Sequence, residues 1–455
     1  MTSEVVVMNR MGIALAADSV VTASAGSVYK HHDSVVKLFM LSEYHPVGIM
    51  VYNNASLLGV PWETIIKLFR KNLGNRNFDD LEGFGREIIS FLNNNQNLFP
   101  ENVQEKYFLI NFEIECHKIL EDARELFNLV PLSDLSEEEA REQMRATIIR
   151  EAIKDRVTMW EARDDANEFS DELVRGFTSK MSGEIHSVIM EIISDWPADT
   201  NDIRLLYRLA QLLILKDFPI LETYTGLVIG GFGQNEHFPV VQHITISGIY
   251  GGVLKFRVSA SQEISDDSPS YIESFADTQT VDGFLYGVNE SILEEIERAE
   301  IIIREAPVEV LEAIEDITDE RKTELINIVK SASKQEADEF HDRIKLSRLK
   351  RFYGILGVVE TLPLKELAKV ASTLVSLSSF DKQLSLETET VGEPIDVAVI
   401  SKGDGFIWIN RKHYFKADLN HRYFEKFRHD TSDPERKNDE DTQIRNPKSS
   451  KENEC

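Results

Sequence analysis

Thr2 places a hydroxyl directly after Met1, at the head of a short apolar run. Aminopeptidases remove an initiator Met when the next side chain is small, so Thr2 is expected to carry a free α-amine beside its hydroxyl. A Thr hydroxyl is a weak nucleophile, but an adjacent N-terminal amine can act as its base. That amine has an ordinary pKa of roughly 7.7–8.0, so a modest depression leaves it able to accept a proton near neutral pH. Asp18 ends the second apolar run. A carboxylate there stands at a sheet margin, where it can hold a partner.

The elements that must position these groups follow from the pattern. Residues 2–8 and 13–17 are apolar runs separated by Asn9-Arg10-Met11-Gly12, which predicts a tight hairpin. Ile13-Ala14-Leu15-Ala16-Ala17 is apolar at every position, as expected of a strand covered on both faces. A third strand over 46–52 leads into Asn53-Asn54-Ala55-Ser56, and Asn53 tolerates positive φ better than most residues other than Gly. A helix with Pro61 near its start and an apolar stripe follows over 61–69. From 77 to 218 the chain reads almost entirely helical, with a capping-box start at Ser136-Glu137-Glu138-Glu139, a long charged run to 196 and a Leu-rich face over 199–218. Strands resume over 225–230, 239–246 and 252–258, and a second helical stretch covers 291–348. A helix over 364–377 precedes strands at 391–400 and 406–409, joined by a two-residue Asp404-Gly405 turn.

The run from Thr2 through Gly12-Ile13-Ala14-Leu15-Ala16-Ala17-Asp18-Ser19 to Thr22 resumes, after a three-residue insertion, at Val35-Val36-Lys37-Leu38-Phe39. On these residues the chain resembles the proteasome β-subunit family of N-terminal nucleophile hydrolases, including the bacterial two-tier proteasome-like proteases. The resemblance implies an α+β fold, a four-layer αββα sandwich (the Ntn-hydrolase fold), here carrying large helical insertions. It implies Thr2 as nucleophile, Lys37 as the cation that lowers the amine and hydroxyl pKa values, and Asp18 as the carboxylate supporting Lys37. The Asn53 turn stands where the family has a Gly-rich turn that supplies a backbone oxyanion donor. The physics agrees: a buried ammonium needs a carboxylate partner, and a nearby cation favours a deprotonated nucleophile. Oxyanion donors are often the largest catalytic term. The segment from 391 resembles the family's late Ser-Gly-Gly segment, yet Val391 and Thr388 stand where that pattern has Ser and Asp, with Glu387 and Glu389 alongside.

The expected organisation is a core interrupted by insertions: 2–76 core, 77–220 helical insertion, 221–290 core strands, 291–350 second helical insertion, 351–428 core helix and strand hairpin, and 429–455 a disordered polar tail. The tail has one clearly aliphatic residue, Ile444. The expected function is hydrolysis of peptide or protein amide bonds through a threonyl ester. The alternatives are a catalytically weak or inactive assembly or sensor module, and a small-molecule amidase whose insertions close the pocket. Without a Walker motif, ATP-driven unfolding would need a separate ATPase or regulator, and shielding an indiscriminate nucleophile points to a homo-oligomer.

Charge and cysteine usage bound the setting. Fifty basic against 78 acidic residues give −28, poorly suited to nucleic acid, whose binding relies on Lys and Arg. The basic cluster Lys345-Leu346-Ser347-Arg348-Leu349-Lys350-Arg351 reads as a helix end complementing the dipole. Cys116 and Cys455 cannot build a disulfide framework, and no signal peptide or span of about 18 apolar residues is visible, so a cytoplasmic protein off the membrane is expected. No cofactor or metal is expected. His31-His32-Asp33 reads as a solvated turn, Cys116-His117 diverge on a helix, and Gly230-Gly231-Phe232-Gly233 lacks the context of a dinucleotide fingerprint.

Overall fold

The computed structural model of the chain describes residues 3–25, 28–32, 35–130, 138–166, 168–217, 224–314, 318–384, 394–413, 415 and 419–420. It opens with β1 (Ser3–Asn9) and β2 (Gly12–Ala17), an antiparallel hairpin registered Glu4 to Ala17 and Val6 to Leu15. Every residue of β2 is buried, as an apolar run without alternation requires. Ala14 and Ala16 pack toward helices, while Ile13, Leu15 and Ala17 pack toward a second sheet. β3 (Val21–Ala25) and β4 (Val28–His32) form a separate two-stranded ribbon, so the expected inserted turn is itself a hairpin. β5 (Leu38–Met40) and β6 (Val47–Asn53) pair in the second sheet, and the short strands β7 (Ser56–Leu57) and β8 (Val60–Pro61) follow.

α1 (Trp62–Leu73) buries Trp62, Ile65, Ile66, Phe69 and Leu73, one stripe at helical spacing. α2 (Leu81–Asn94) starts where the Asp80 side chain accepts the Gly83 N–H at 2.7 Å. Next come α3 (Glu101–Asn128), α4 (Glu138–Glu161), α5 (Asp171–Lys180), α6 (Ser182–Ile192) and α7 (Thr200–Leu215). These five share a core of their own around Phe112, Ile153, Trp160 and Leu209. The long charged run to 196 holds three helices, because Ser170 caps a new start on the Leu173 N–H and the chain turns again at Met181. An Asp199–Asp202 capping box opens α7. Ser136 and Glu137, the expected start of α4, lie outside the described residues.

β9 (Thr225–Gly231), β10 (Val240–Tyr250) and β11 (Val253–Val258) complete a sheet of order β11-β10-β9-β6-β5, with β12 (Gln262–Glu263) paired to β10. β13 (Ser270–Ala276) returns to the first sheet beside β1. α8 (Gln279–Tyr286), α9 (Glu290–Glu312), α10 (Asp319–Val359) and α11 (Leu364–Leu384) lead to β14 (Asp396–Ser401) and β15 (Gly405–Asn410), closing the order β13-β1-β2-β14-β15. All strand pairings among the described residues are antiparallel. The molecule is therefore mixed α and β, with antiparallel sheets. Val6, Leu15, Met50 and Val228 meet between the two large sheets. Leu367, Ala371 and Val375 of α11 cover the outer face of the first, and α1 and α2 cover that of the second.

Three local expectations are corrected. Ser401 pairs with Gly405, so the last turn has three residues, closed by Ser401 Oγ and the Asp404 carboxylate at 2.8 Å. The second helical stretch runs to Val359 rather than 348. The basic cluster at 345–351 lies inside α10, where Arg348 stacks 5.3 Å from the Tyr286 ring and Arg351 lies 5.7 Å from that of Phe284. These cations pin α10 to α8 instead of capping a helix.

The chain up to Asn410 forms one compact unit, and a second unit begins at Arg411. In the second, the rings of His413 and Phe415 lie 5.1 Å apart. The tail expected over 429–455 lies outside the described residues. Among the described residues, no helix is long and apolar enough to cross a membrane.

Candidate active site

Thr2 lies outside the described residues, and Ser3 is the first that the structure places. The β1–β2 ladder continues one step past Ala17, since the Asp18 N–H donates to Ser3 O at 3.1 Å. The Ser3 N–H donates in return to Asp18 Oδ1 at 3.1 Å. Asp18 is fully buried, and its other oxygen accepts the Val20 N–H at 3.0 Å. Lys37 Nζ donates to Asp18 Oδ1 at 2.7 Å and to Val20 O at 2.6 Å.

Lys37 stands just before β5, in the second sheet, with only 4% of its side chain exposed. Its ion pair with Asp18 therefore joins the two sheets at one end. A buried pair is tolerated when hydrogen bonds satisfy both ends, as the Val20 carbonyl and two backbone N–H groups do here. The carboxylate that holds the lysine also holds the backbone next to position 2.

Asn53 ends β6 with φ of 69°, the left-handed conformation anticipated for it. Its side-chain amide donates to Tyr224 O at 2.8 Å. Val51 N–H donates to Lys37 O at 2.9 Å, so Asn53 follows the Lys37 contact by two residues, about 7 Å of strand. Ser19 Oγ donates to Pro394 O, tying this end of β2 to the segment before β14. Glu387, Thr388, Glu389 and Val391 lie outside the described residues.

A second group of polar side chains went unread in the sequence. Glu4 shares the inward face of β1 with Val6 and Met8, is fully buried, and neither carboxyl oxygen has a hydrogen-bond partner among the described residues. Burial pushes this carboxyl well above the usual carboxylate range, Lys37 draws it back, and Asp18 pushes it further up. Tyr52, on β6, donates to or accepts from His243 Nε2 at 2.7 Å, with the two rings stacked. Burial pushes the Tyr52 hydroxyl up and the His243 imidazole down to about 4. The Tyr52 ring lies against Gly226, its cross-strand partner, where a Cβ would meet ring carbon Cε1 at 2.0 Å. The available signal was a lone charge at an inward register of an apolar strand.

His31 and His32 lie on β4, and Asp33 falls outside the described residues. Cys116 is buried in α3 while His117 is exposed. Among the described residues, no group of three or more His, Cys, Asp or Glu is placed to hold a metal ion.

No family model matches the chain, and no curated protein matches it. Among solved structures, it is similar to Anbu (ancestral beta-subunit) from Yersinia bercovieri, at 10% identity over 93% of this chain and 94% of that one, with TM-score 0.27. It is similar to Anbu from Hyphomicrobium sp. strain MC1, at 10% identity over 94% and 97%, with TM-score 0.28. A structure entitled the helical assembly of the Anbu complex from Pseudomonas aeruginosa has 11% identity over 98% of both chains, with TM-score 0.31. These findings correct the family resemblance read from the sequence. Anbu proteins are proteasome-like but a distinct family, so the chain is not assigned to the proteasome β-subunits or the bacterial two-tier proteases. The resemblance rested on short runs around one buried ion pair. Such runs specify local geometry, and they do not fix a family.

Proposed function

We propose that this chain is a threonine-type N-terminal nucleophile hydrolase of amide bonds, built on a four-layer αββα sandwich with helical insertions. The observation that carries the reading is the buried Asp18–Lys37 pair, whose carboxylate also binds the Ser3 N–H, one residue from Thr2. Once Thr2 is the first residue, by removal of Met1 or of any preceding segment, its amine takes the hydroxyl proton as Oγ attacks the substrate carbonyl. Lys37 favours the neutral amine by its positive charge, and Asp18 positions both Lys37 and the strand. Backbone donors at the Asn53 turn stabilise the oxyanion. The C–N bond then breaks, the leaving amine takes the proton from the Thr2 ammonium, and water hydrolyses the threonyl ester. The chemistry calls for no cofactor or metal.

Peptides are the proposed substrate class, and a homo-oligomer is the proposed means of shielding the nucleophile. A separate ATPase or regulator would be needed for folded substrates. The test combines intact mass with labelling by a peptide epoxyketone, which reacts with a hydroxyl and its neighbouring amine. Thr2 should be N-terminal and labelled, and Thr2→Ala should lose both labelling and turnover. Sedimentation over a concentration series should show a species larger than a single chain. Robust turnover by Thr2→Ala sinks the mechanism, while an exposed but unreactive Thr2 favours an inert assembly module.

A further inference from the structure

Glu4 has no place in that mechanism, yet it occupies the inside of the same strand end. It lies directly opposite Ala17 and so beside the turn into Asp18. Its neighbour Ser3 is held by the Asp18 oxygen that also accepts Lys37. Its carboxyl is fully enclosed, and neither oxygen has a partner among the described residues. The titratable groups that act on it are Lys37 before β5, Asp18 after β2 and Tyr52 on β6, and behind Tyr52 stand Tyr224 ahead of β9, His243 on β10 and Glu273 on β13. Tyr224 meets the Tyr52 ring edge-on at 6.1 Å, Tyr52 engages His243, and Glu273 is registered opposite Val6. Lys37 is the cation that acts on Glu4.

A carboxyl in such a place is tolerated neutral, whereas an ionised one must find a counter-charge. Resting on the hydrolase reading, we propose that Glu4 is a positioning residue of this site: protonated, it leaves Lys37 to Asp18, and ionised, it competes with Asp18 for Lys37. Ionisation releases one proton to solvent and puts two carboxylates around one ammonium. The net charge beside Thr2 then turns negative, the Thr2 amine holds its proton more tightly, and less of it is free to act as base. The site therefore works while Glu4 is protonated and weakens as pH rises.

Wild type and Glu4→Gln, both as full chains, test this. Gln keeps the shape of the side chain and cannot ionise. Isotope-edited infrared spectra of wild type should show a protonated-carboxyl C=O band at neutral pH that fades on alkaline titration and is missing from Glu4→Gln. An unfolded Glu titrates near pH 4.3. Above that pH the folded wild type still holds a proton that the unfolded chain has lost, so its stability falls as pH rises through the folded pKa. The Tm of Glu4→Gln relative to wild type should accordingly increase from pH 5 to pH 8. With a fluorogenic peptide, wild-type kcat/KM should fall about tenfold per pH unit on its alkaline limb. In Glu4→Gln that limb should shift or vanish, whatever the absolute rate. Turnover with the same alkaline limb in both proteins overturns the role of Glu4 while leaving the hydrolase reading intact, as does a missing band with a Tm difference independent of pH. A wild type that shows the band and the widening Tm difference, yet with Thr2 exposed hydrolyses no peptide, overturns the hydrolase reading instead.

Discussion

Lys37 and Lys255 are both buried, and the molecule accommodates them differently. Lys37 at the sheet end meets the Asp18 carboxylate at 2.7 Å, with the Val20 carbonyl as a second acceptor. Lys255, on β11 where the helical body packs on the second sheet, donates to Leu213 O at 2.7 Å and lies 5.9 Å from the Trp160 ring. Burial depresses its ammonium to about pKa 7, with Asp217 and Glu168 pulling it back up. Burial outweighs what these carboxylates, the Leu213 carbonyl and the Trp160 ring return to the cation. The sheet end is organised around a charge pair. The helical contact tolerates a lysine that titrates near neutrality, as a packing element with a hydrogen bond at its tip.

The largest effect should come from breaking the first arrangement. Lys37→Met leaves Asp18 buried without its cation, which costs about 3–5 kcal/mol, and it should also abolish peptide turnover. Urea denaturation measures the first and a fluorogenic peptide the second. A cost under about 1 kcal/mol would mean that water or another cation replaces the lysine, and the contrast between the two sites would collapse.

Lys255→Met should behave differently, with its effect set by pH. The folded pKa near 7 lies below the ordinary value near 10.4 of the unfolded chain. Between these values the unfolded chain binds the extra proton, so wild-type stability rises with pH through the window. Relative to Lys255→Met, wild type should gain about 2 kcal/mol from pH 7 to pH 9. Denaturation of both proteins at the two pH values checks it, and parallel curves would show that Lys255 is not desolvated. The smallest effect belongs to Lys67, paired with Glu63 one turn away on the exposed face of α1. Lys67→Ala should change stability by no more than about 0.5 kcal/mol. A larger loss would show that exposure is not what separates these lysines.

Much of the site's frame was legible in the residues. The Asn9-Arg10-Met11-Gly12 turn and the unbroken apolar run 13–17 place β1, β2 and the margin at Asp18. Asn53 was legible because its backbone tolerance is intrinsic. The partner of Lys37 was not readable from spacing, since it lies 19 residues away and on the other sheet. It was anticipated only through a resemblance, and the family named by that resemblance did not hold. Glu4 went unread within the apolar run 2–8. Recognising it required knowing that Val6 and Met8 face the second sheet, which makes Glu4 an enclosed carboxyl.

By itself the sequence determined the first hairpin, the burial of β2 on both faces, the helical character of 77–218 and the left-handed end of β6. Alternation, helical period, capping and backbone sterics act over a few residues, so they can be read where they occur. Only the tertiary structure decided that Asp18 and Lys37 meet, that Glu4 is enclosed beside them, that Gly226 makes room for Tyr52, and that Lys255 is desolvated against Trp160. Each of these depends on which surface another sheet or helix covers. Desolvation and charge pairing arise when distant segments exclude water together, and no local pattern specifies which segments those are.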